Sequence, residues 1–281
     1  TRAMMDECPL VIAQVNANMP WVDGDAVVPV TKIHAFVEEN TPLSIIPEAS
    51  SISETDKAIA GHIAELINDG DTLQIGAGAV PDTVLSMLTN HKHLGIHTEL
   101  GSTGIMKLMQ KGVIDNSRKT LDVGKVVCTL MGGTGEFYKF VDHNDDFLMR
   151  RSSYVLNPAV ICQQKNMVAM NSCIEIDLFG QVNSEMIAGK EFSGVGGQVD
   201  FLRGAMMAEG GKSILCMPAT ASKGTKSRIV AQLAAGTVVT ASRYDVMYVV
   251  TEYGVAELWG KTNDERAKEL IEIAHPQCRG S

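Results

Sequence analysis

Short apolar runs alternate with amphipathic stretches along most of this 281-residue chain. Ser53, with Asp56 three residues later, is typical of a helix N-cap. The spacing of Ile59 and Ile63 predicts that this helix runs to residue 67, and a second helix is predicted at 81–88 with Pro81 in its first position. Further helices are predicted at 104–111, 136–142, 198–208, 227–234 and 263–273. Strands are predicted at 9–15, 72–75, 94–98, 125–131, 168–171, 174–178, 213–217 and 246–250.

The alternation of strands and helices is typical of the α/β class. We therefore predict an open, mostly parallel sheet with helices on both faces, because strands buried on both sides are continuous apolar runs. The Pro- and Ser-rich stretch 41–52 predicts a linker. The chain begins with Thr1 and reaches a predicted strand within a few residues, so we expect it to start within a larger protein.

The composition is that of a folded globular protein, with 45% hydrophobic and 20% charged residues. There are 33 acidic and 24 basic residues, and a net charge of −9 disfavours binding to nucleic acid or to an anionic membrane surface. No apolar run approaches the roughly 18 residues of a membrane-spanning helix. The six cysteines include no CxxC pair, so neither a zinc site nor a disulfide framework is indicated, and we expect a cytoplasmic location.

The first candidate site is the turn between the strand at 72–75 and the helix at 81–88. Its residues are Gly76, Ala77, Gly78, Ala79 and Val80. Glycines let the backbone approach an anionic ligand, and the N-terminus of the following helix directs N–H groups at it. A tight turn without any ligand explains the same residues equally well.

The second candidate is Glu99, which directly follows the strand predicted at 94–98. Ligands of open α/β sheets bind beyond the carboxyl ends of the strands, so Glu99 is a candidate nucleophile. The alternative is a solvated loop glutamate. His97, two residues earlier, is predicted to be a packing histidine rather than a base.

The third candidate is the turn that contains Gly194, Gly196 and Gly197, directly before the helix at 198–208. Such a turn can present two backbone N–H groups to a developing oxyanion, although a purely structural turn is the alternative. Glu252 follows the strand at 246–250 and is a second carboxylate at a strand end; by itself it indicates little.

Taken in chain order, these segments resemble the acetyl-CoA hydrolase/transferase family. The matching stretches are IAQVNANMP, IGAGAVPDTV, GIHTE, MNSCIEIDLFGQVNSE, SGVGGQVDF and VVTEYGVAELWGKT, which span nearly the whole chain. They are most similar to the 4-hydroxybutyrate and butyrate CoA-transferases. The resemblance implies two similar α/β domains with the active site between them. Residues 1–48 would be the tail of the N-terminal domain, and residues 49–281 most of the C-terminal domain.

The resemblance also assigns roles. Glu99 would be the nucleophile that becomes a glutamyl-CoA thioester. The loop from Gly76 to Val80, the position of Ile174 and the pair Gly196-Gly197 would contact CoA, with Gly197 also stabilising an oxyanion. Glu252 is a candidate for orienting Glu99 or the incoming carboxylate.

We therefore expect a CoA-transferase that moves CoA between a short-chain acyl-CoA and a carboxylic acid by ping-pong chemistry. Coenzyme A is then a substrate, and neither a resident cofactor nor a metal is needed. A homodimer is the commonest assembly for such a protein. An acyl-CoA hydrolase using the same glutamate is the first alternative, and a nucleotide-binding module without catalysis, supported only by the 76–81 turn, is the second.

Overall fold

The computed structural model describes residues 2–48, 51–76, 78–222 and 224–280, with a six-stranded sheet at the centre. The strands of this sheet are β1 (Thr72–Ile75), β2 (Gly95–Ile96), β3 (Met167–Ser172), β4 (Lys212–Cys216), β5 (Tyr248–Thr251) and β6 (Gly254–Glu257). They lie side by side in the order β6-β5-β4-β3-β1-β2. Strands β1 to β5 are parallel, and β6 pairs antiparallel with β5 at one edge.

Nine helices lie among the described residues, and several of them pack against this sheet. They are α1 (Arg2–Glu7), α2 (Glu54–Leu66), α3 (Ala79–Met87), α4 (Thr103–Gln110), α5 (Gly135–Val141), α6 (Ser152–Val155), α7 (Pro158–Ile161), α8 (Gln198–Met207) and α9 (Asn263–Glu272). Short 3-10 turns occupy Val30–Lys32, Leu88–Asn90 and Pro276–Cys278.

Alternate residues of the strands pack against helices on opposite faces of the sheet. Leu73 of β1 lies in one buried cluster with Ile63 of α2 and Val84 of α3. Ala169 of β3 lies in another, with Phe201 of α8. Full burial of such a side chain stabilises the fold by about 1.5–3 kcal/mol. The apolar runs are thus explained by burial on both sides, and the α/β class is confirmed.

The remaining strands form small separate sheets, which the prediction of a single sheet did not include. Three of them, Glu175–Asp177, Val182–Asn183 and Ile229–Val230, form a mixed sheet. The others pair in twos: Ile12–Val15 with Ala35–Glu38, Leu100–Gly101 with Leu130–Met131, Val126–Cys128 with Phe147–Met149, Met186–Ile187 with Lys190–Glu191, and Thr220–Ala221 with Lys226–Ser227.

Local sequence signals located several element boundaries correctly. The Ser53 side chain accepts a hydrogen bond from the Asp56 N–H and caps α2, as predicted. The strand at 72–75 has the predicted bounds. The N-terminus of α9 has a full capping box between Thr262 and Glu265.

Three predictions were wrong in detail. The predicted helix at 227–234 is absent: Lys226–Ser227 and Ile229–Val230 are short strands, and 231–234 are irregular. Ile229 pairs with Ile176 and is buried in a core cluster, which overrides local helix propensity. Pro81 is the third residue of α3 rather than the first, since Gly78 is the N-cap. The predicted strand 125–131 is interrupted at Thr129.

Candidate active site

Glu99 lies at the carboxyl edge of the central sheet, just beyond β2. Its backbone carbonyl accepts hydrogen bonds from both the Thr129 N–H (3.1 Å) and the Leu130 N–H (2.8 Å). Two N–H groups sharing one carbonyl explain why the predicted strand 125–131 is broken there. The half-buried Glu99 carboxylate accepts no hydrogen bond from any described residue.

The Glu99 carboxylate packs directly against Gly197. A Cβ atom on Gly197 would lie 2.7 Å from Glu99 Oε2 and would also overlap a methyl group of Leu156. These glutamate and glycine residues were predicted separately, from distant parts of the sequence. The structure brings them into contact, and a larger residue at 197 would force the Glu99 carboxylate and the Leu156 side chain to move.

Gly197 is also the N-cap of α8, and no side chain caps this helix. The first N–H groups of a helix lack intrahelical partners and carry the positive end of its dipole. Gly196, directly before it, is exposed and has a φ of +60°, which favours glycine. The Gly196-Gly197 turn thus presents uncapped N–H groups beside the candidate nucleophile.

The loop after β1 also leads into a helix whose N-terminus has no side-chain cap. The Gly76 N–H donates to the Met170 carbonyl (3.0 Å), and Gly78, with a φ of +131°, is the N-cap of α3, again without a side-chain cap. Ala79 is exposed, whereas the Val80 side chain is buried in the core, so only the backbone of Val80 can face a ligand. Ala77 lies outside the described residues.

Ile174 lies just beyond β3. Its N–H donates to the Asn183 carbonyl (2.9 Å), and its own carbonyl accepts a long hydrogen bond from Arg228 Nη1 (3.4 Å). The Ile174 N–H is therefore already used, and a contact with CoA would have to come from its half-buried side chain.

Glu252 follows β5, at the same edge of the sheet as Glu99 but four strand positions away from β2. The Glu252 carboxylate accepts a hydrogen bond from the Ala219 N–H (2.8 Å). No hydrogen bond joins the two carboxylates among the described residues, and orientation of Glu99 or of the incoming carboxylate by Glu252 stays a prediction.

Buried ionisable groups lie beneath Glu99, and sequence reasoning missed most of them. His97 is fully buried with Nε2 3.0 Å from the Val155 carbonyl, and burial lowers its pKa to about 4. The prediction of a packing histidine is confirmed. Lys119 is also buried; burial lowers its pKa to about 7, and its Nζ donates to the Ile96 carbonyl (2.8 Å). Nothing in the sequence around Lys119 signals this position.

Two cavities flank the site. One, of about 390 Å³, lies between α3 and α4 and includes Ala79, Asp82 and Lys107 in its wall. The other, of about 690 Å³, is lined by residues 19–22 and 26–28 together with Thr129 and Leu130. Within the described ranges, no three His, Cys, Asp or Glu side chains are grouped so that they could hold a metal ion. No described helix is long and apolar enough to cross a membrane.

Comparison with known proteins places this geometry in context. Residues 133–281 match the family described as acetyl-CoA hydrolase/transferase C-terminal domain. The chain is 50% identical over 281 residues to the 4-hydroxybutyrate coenzyme A transferase of Clostridium kluyveri, covering 100% of this chain and 65% of that protein.

Two solved structures have the same fold. RipA from Yersinia pestis has a TM-score of 0.92 and 40% identity, over 98% of this chain and 62% of that chain. A 4-hydroxybutyrate CoA-transferase from Porphyromonas gingivalis has a TM-score of 0.88 and 42% identity, over 99% of this chain and 66% of that chain. The chain thus spans slightly less than two thirds of the length of these relatives.

Proposed function

The chain belongs to the acetyl-CoA hydrolase/transferase family, and on that basis we propose that it is part of a CoA-transferase acting on short-chain acids. The observation that carries this proposal is the contact between the unpartnered Glu99 carboxylate and Gly197 at the uncapped N-terminus of α8. A nucleophile and oxyanion donors at one point are what acyl transfer requires. The Clostridium and Porphyromonas relatives, named as 4-hydroxybutyrate CoA-transferases, support acids of that size.

In the first half of the proposed reaction, a Glu99 oxygen attacks the thioester carbonyl carbon of an acyl-CoA. The C–S bond breaks, CoA leaves as its thiolate, and an acyl-glutamyl anhydride remains. The thiolate then attacks the glutamyl carbonyl carbon. Cleavage of the anhydride C–O bond releases the first acid as its carboxylate and leaves CoA as a thioester on Glu99.

In the second half, the carboxylate of another acid attacks the same glutamyl carbonyl and expels the thiolate, forming a new anhydride. The thiolate attacks the acyl carbonyl, which gives the new acyl-CoA and regenerates Glu99. Each attack passes through a tetrahedral oxyanion. N–H groups of the 196–197 turn and of the Gly76–Val80 loop are our candidates to stabilise it, and loss of one such donor typically costs about 2.7–4 kcal/mol.

The remaining site residues have supporting roles in this proposal. The Gly76–Val80 loop and Ile174 contact CoA, which is a substrate rather than a resident cofactor. Glu252 acts through Ala219, whose N–H it holds, and so positions the segment that follows β4. Acyl-CoA and short-chain carboxylates are the expected partners; a dimer and a cytoplasmic location remain predictions from composition and general frequency.

We also propose that residues 1–48 belong with a further α/β domain. The strands Ile12–Val15 and Ala35–Glu38 are parallel, yet Ile12, Phe36 and Val37 are all exposed. Parallel strands are normally buried on both faces, and an isolated pair of strands is only marginally stable. A larger sheet and covering helices would bury these side chains, and the greater length of the relatives is consistent with this.

An acyl-CoA hydrolase is the alternative within the same family, with water in place of the second acid. The two functions are separated by measuring CoA transfer from butyryl-CoA to a panel of acids, and free CoA release without acid, on the intact protein. New acyl-CoA that appears only with an acid supports the transferase. Equal CoA release with and without acetate would support the hydrolase.

A further inference from the structure

The strand that leads to Glu99 changes partner just before the nucleophile. Up to Ile96 it pairs with β1, and the His97 N–H still donates to the Leu73 carbonyl (3.0 Å). His97 then forms an isolated parallel β-bridge with Val127, and the Thr98 N–H donates to the Val127 carbonyl (3.0 Å). The chain therefore leaves β1 at the point where a reactive cleft would have to open.

This departure would leave the backbone N–H and carbonyl of Ile75, the last residue of β1, without a strand partner on the side of β2. The Thr98 hydroxyl replaces the missing strand. Its Oγ1 accepts a hydrogen bond from the Ile75 N–H (3.2 Å) and donates one to the Ile75 carbonyl (3.2 Å). Thr98 is completely buried, so no water can make these bonds in its place.

These two hydrogen bonds lie directly beside two candidate site segments. Ile75 directly precedes Gly76 and its loop, and Thr98 directly precedes Glu99. One hydroxyl therefore joins the base of the glycine loop to the base of the nucleophile. A threonine suits this position because its hydroxyl both donates and accepts, whereas its methyl group fills buried space.

We propose that Thr98 is a positioning residue that fixes the distance between the Gly76–Val80 loop and the Glu99 carboxylate. This inference rests on the proposed function. Without the hydroxyl, the two strand ends lose their only side-chain link among the described residues, and the loop donors move relative to the nucleophile. A displacement of about 1 Å at a reacting centre can cost on the order of 100-fold in rate.

The test compares variants that remove the hydroxyl with variants that keep it. Thr98→Val keeps the volume and removes both hydrogen bonds, whereas Thr98→Ser keeps the hydroxyl and loses a buried methyl group. Thr98→Ala differs from Thr98→Ser by the hydroxyl alone and serves if Thr98→Val does not fold.

Ser213 offers a matched control at the opposite end of the sheet. Its buried Oγ donates to the Asp245 carbonyl (3.0 Å) and accepts from the Met247 N–H (3.0 Å), the same pattern as Thr98. Ser213→Ala therefore removes an equivalent pair of buried bonds near the amino end of β4, away from Glu99.

Each substitution is made in the intact protein, which is then mixed with excess butyryl-CoA. Mass spectrometry follows the rate at which CoA becomes attached to Glu99. The urea midpoint of unfolding is measured separately for each variant. We expect Thr98→Val and Thr98→Ala to be slowed on the order of 100-fold. Thr98→Ser and Ser213→Ala should stay within a few-fold of wild type, although both are less stable. Equal rates for Thr98→Ala and Thr98→Ser would overturn the role of Thr98. An active wild type without any adduct would instead overturn the proposed function.

Discussion

Glu99 Oε2 lies 2.7 Å from the position that a Cβ atom would occupy on Gly197. Glu99 follows the edge strand β2, and Gly197 is the N-cap of α8 on one face of the sheet. The contact therefore joins a candidate nucleophile to a helix N-terminus. A larger residue at position 197 would therefore displace the Glu99 carboxylate, although the backbone φ of −91° is open to any residue.

Substitution of Gly197 by alanine should impair transfer more than folding. The added methyl group displaces the Glu99 carboxylate, and a misplaced nucleophile can lower the rate on the order of 100-fold. The rate of butyryl-CoA to acetate transfer measures this effect. Gly61→Ala in α2 is a suitable control, since a Cβ there meets no atom within 4 Å. Transfer by Gly197→Ala at the wild-type rate would contradict the packing described.

Glu252 should act through its hydrogen bond rather than through charge at the reacting centre. Glu252→Gln keeps an oxygen that can accept from the Ala219 N–H, whereas Glu252→Ala removes the acceptor. We expect the glutamine variant to keep transfer within a few-fold of wild type and the alanine variant to lose about 1–3 kcal/mol of stability, because a half-buried N–H loses its partner. Steady-state transfer and urea unfolding measure the two effects. A glutamine variant as inactive as Glu99→Gln would show that the charge of Glu252 takes part in the chemistry.

His97 should make the protein sensitive to mild acid. Its folded pKa is lowered from 6.5 to about 4, so between these values the unfolded chain binds a proton that the folded chain excludes. The unfolding free energy therefore falls as the pH drops from 6.5 toward 4, by at most about 1.4 kcal/mol per pH unit. Urea unfolding of wild type and His97→Gln at pH 7 and pH 5 isolates this contribution, since other titrating groups cancel in the difference. Equal losses of stability in the two proteins would contradict it.

The elements with strong local signals were predictable from sequence, and those decided by tertiary contacts were not. The cap at Ser53 and the apolar run at 72–75 are recognisable from nearby residues alone. No helix forms at 227–234, because Ile229–Val230 is a strand that pairs with a distant segment. The positions of Glu99 and the glycine turn at the site were indicated by their patterns, but their mutual contact was not.

The groups beneath the site were the least predictable. Lys119 carries no motif, and its role in holding the Ile96 carbonyl depends on Gly95, where a Cβ would lie 2.5 Å from Lys119 Cγ. Thr98 belongs to a recognisable segment, yet only the structure shows that its hydroxyl completes the backbone hydrogen bonds of Ile75. Such side-chain to backbone contacts between distant segments leave no periodic signal in one sequence.

The covalent intermediate on Glu99 is the central claim of this account. Its most direct test is peptide mass spectrometry of the intact protein after brief incubation with butyryl-CoA, with borohydride reduction of a parallel sample. We predict CoA attached to the peptide that contains Glu99, reduction of Glu99 in the borohydride sample, and neither change in Glu99→Gln. Sustained CoA transfer by a protein whose Glu99 stays unmodified under these conditions would contradict the account.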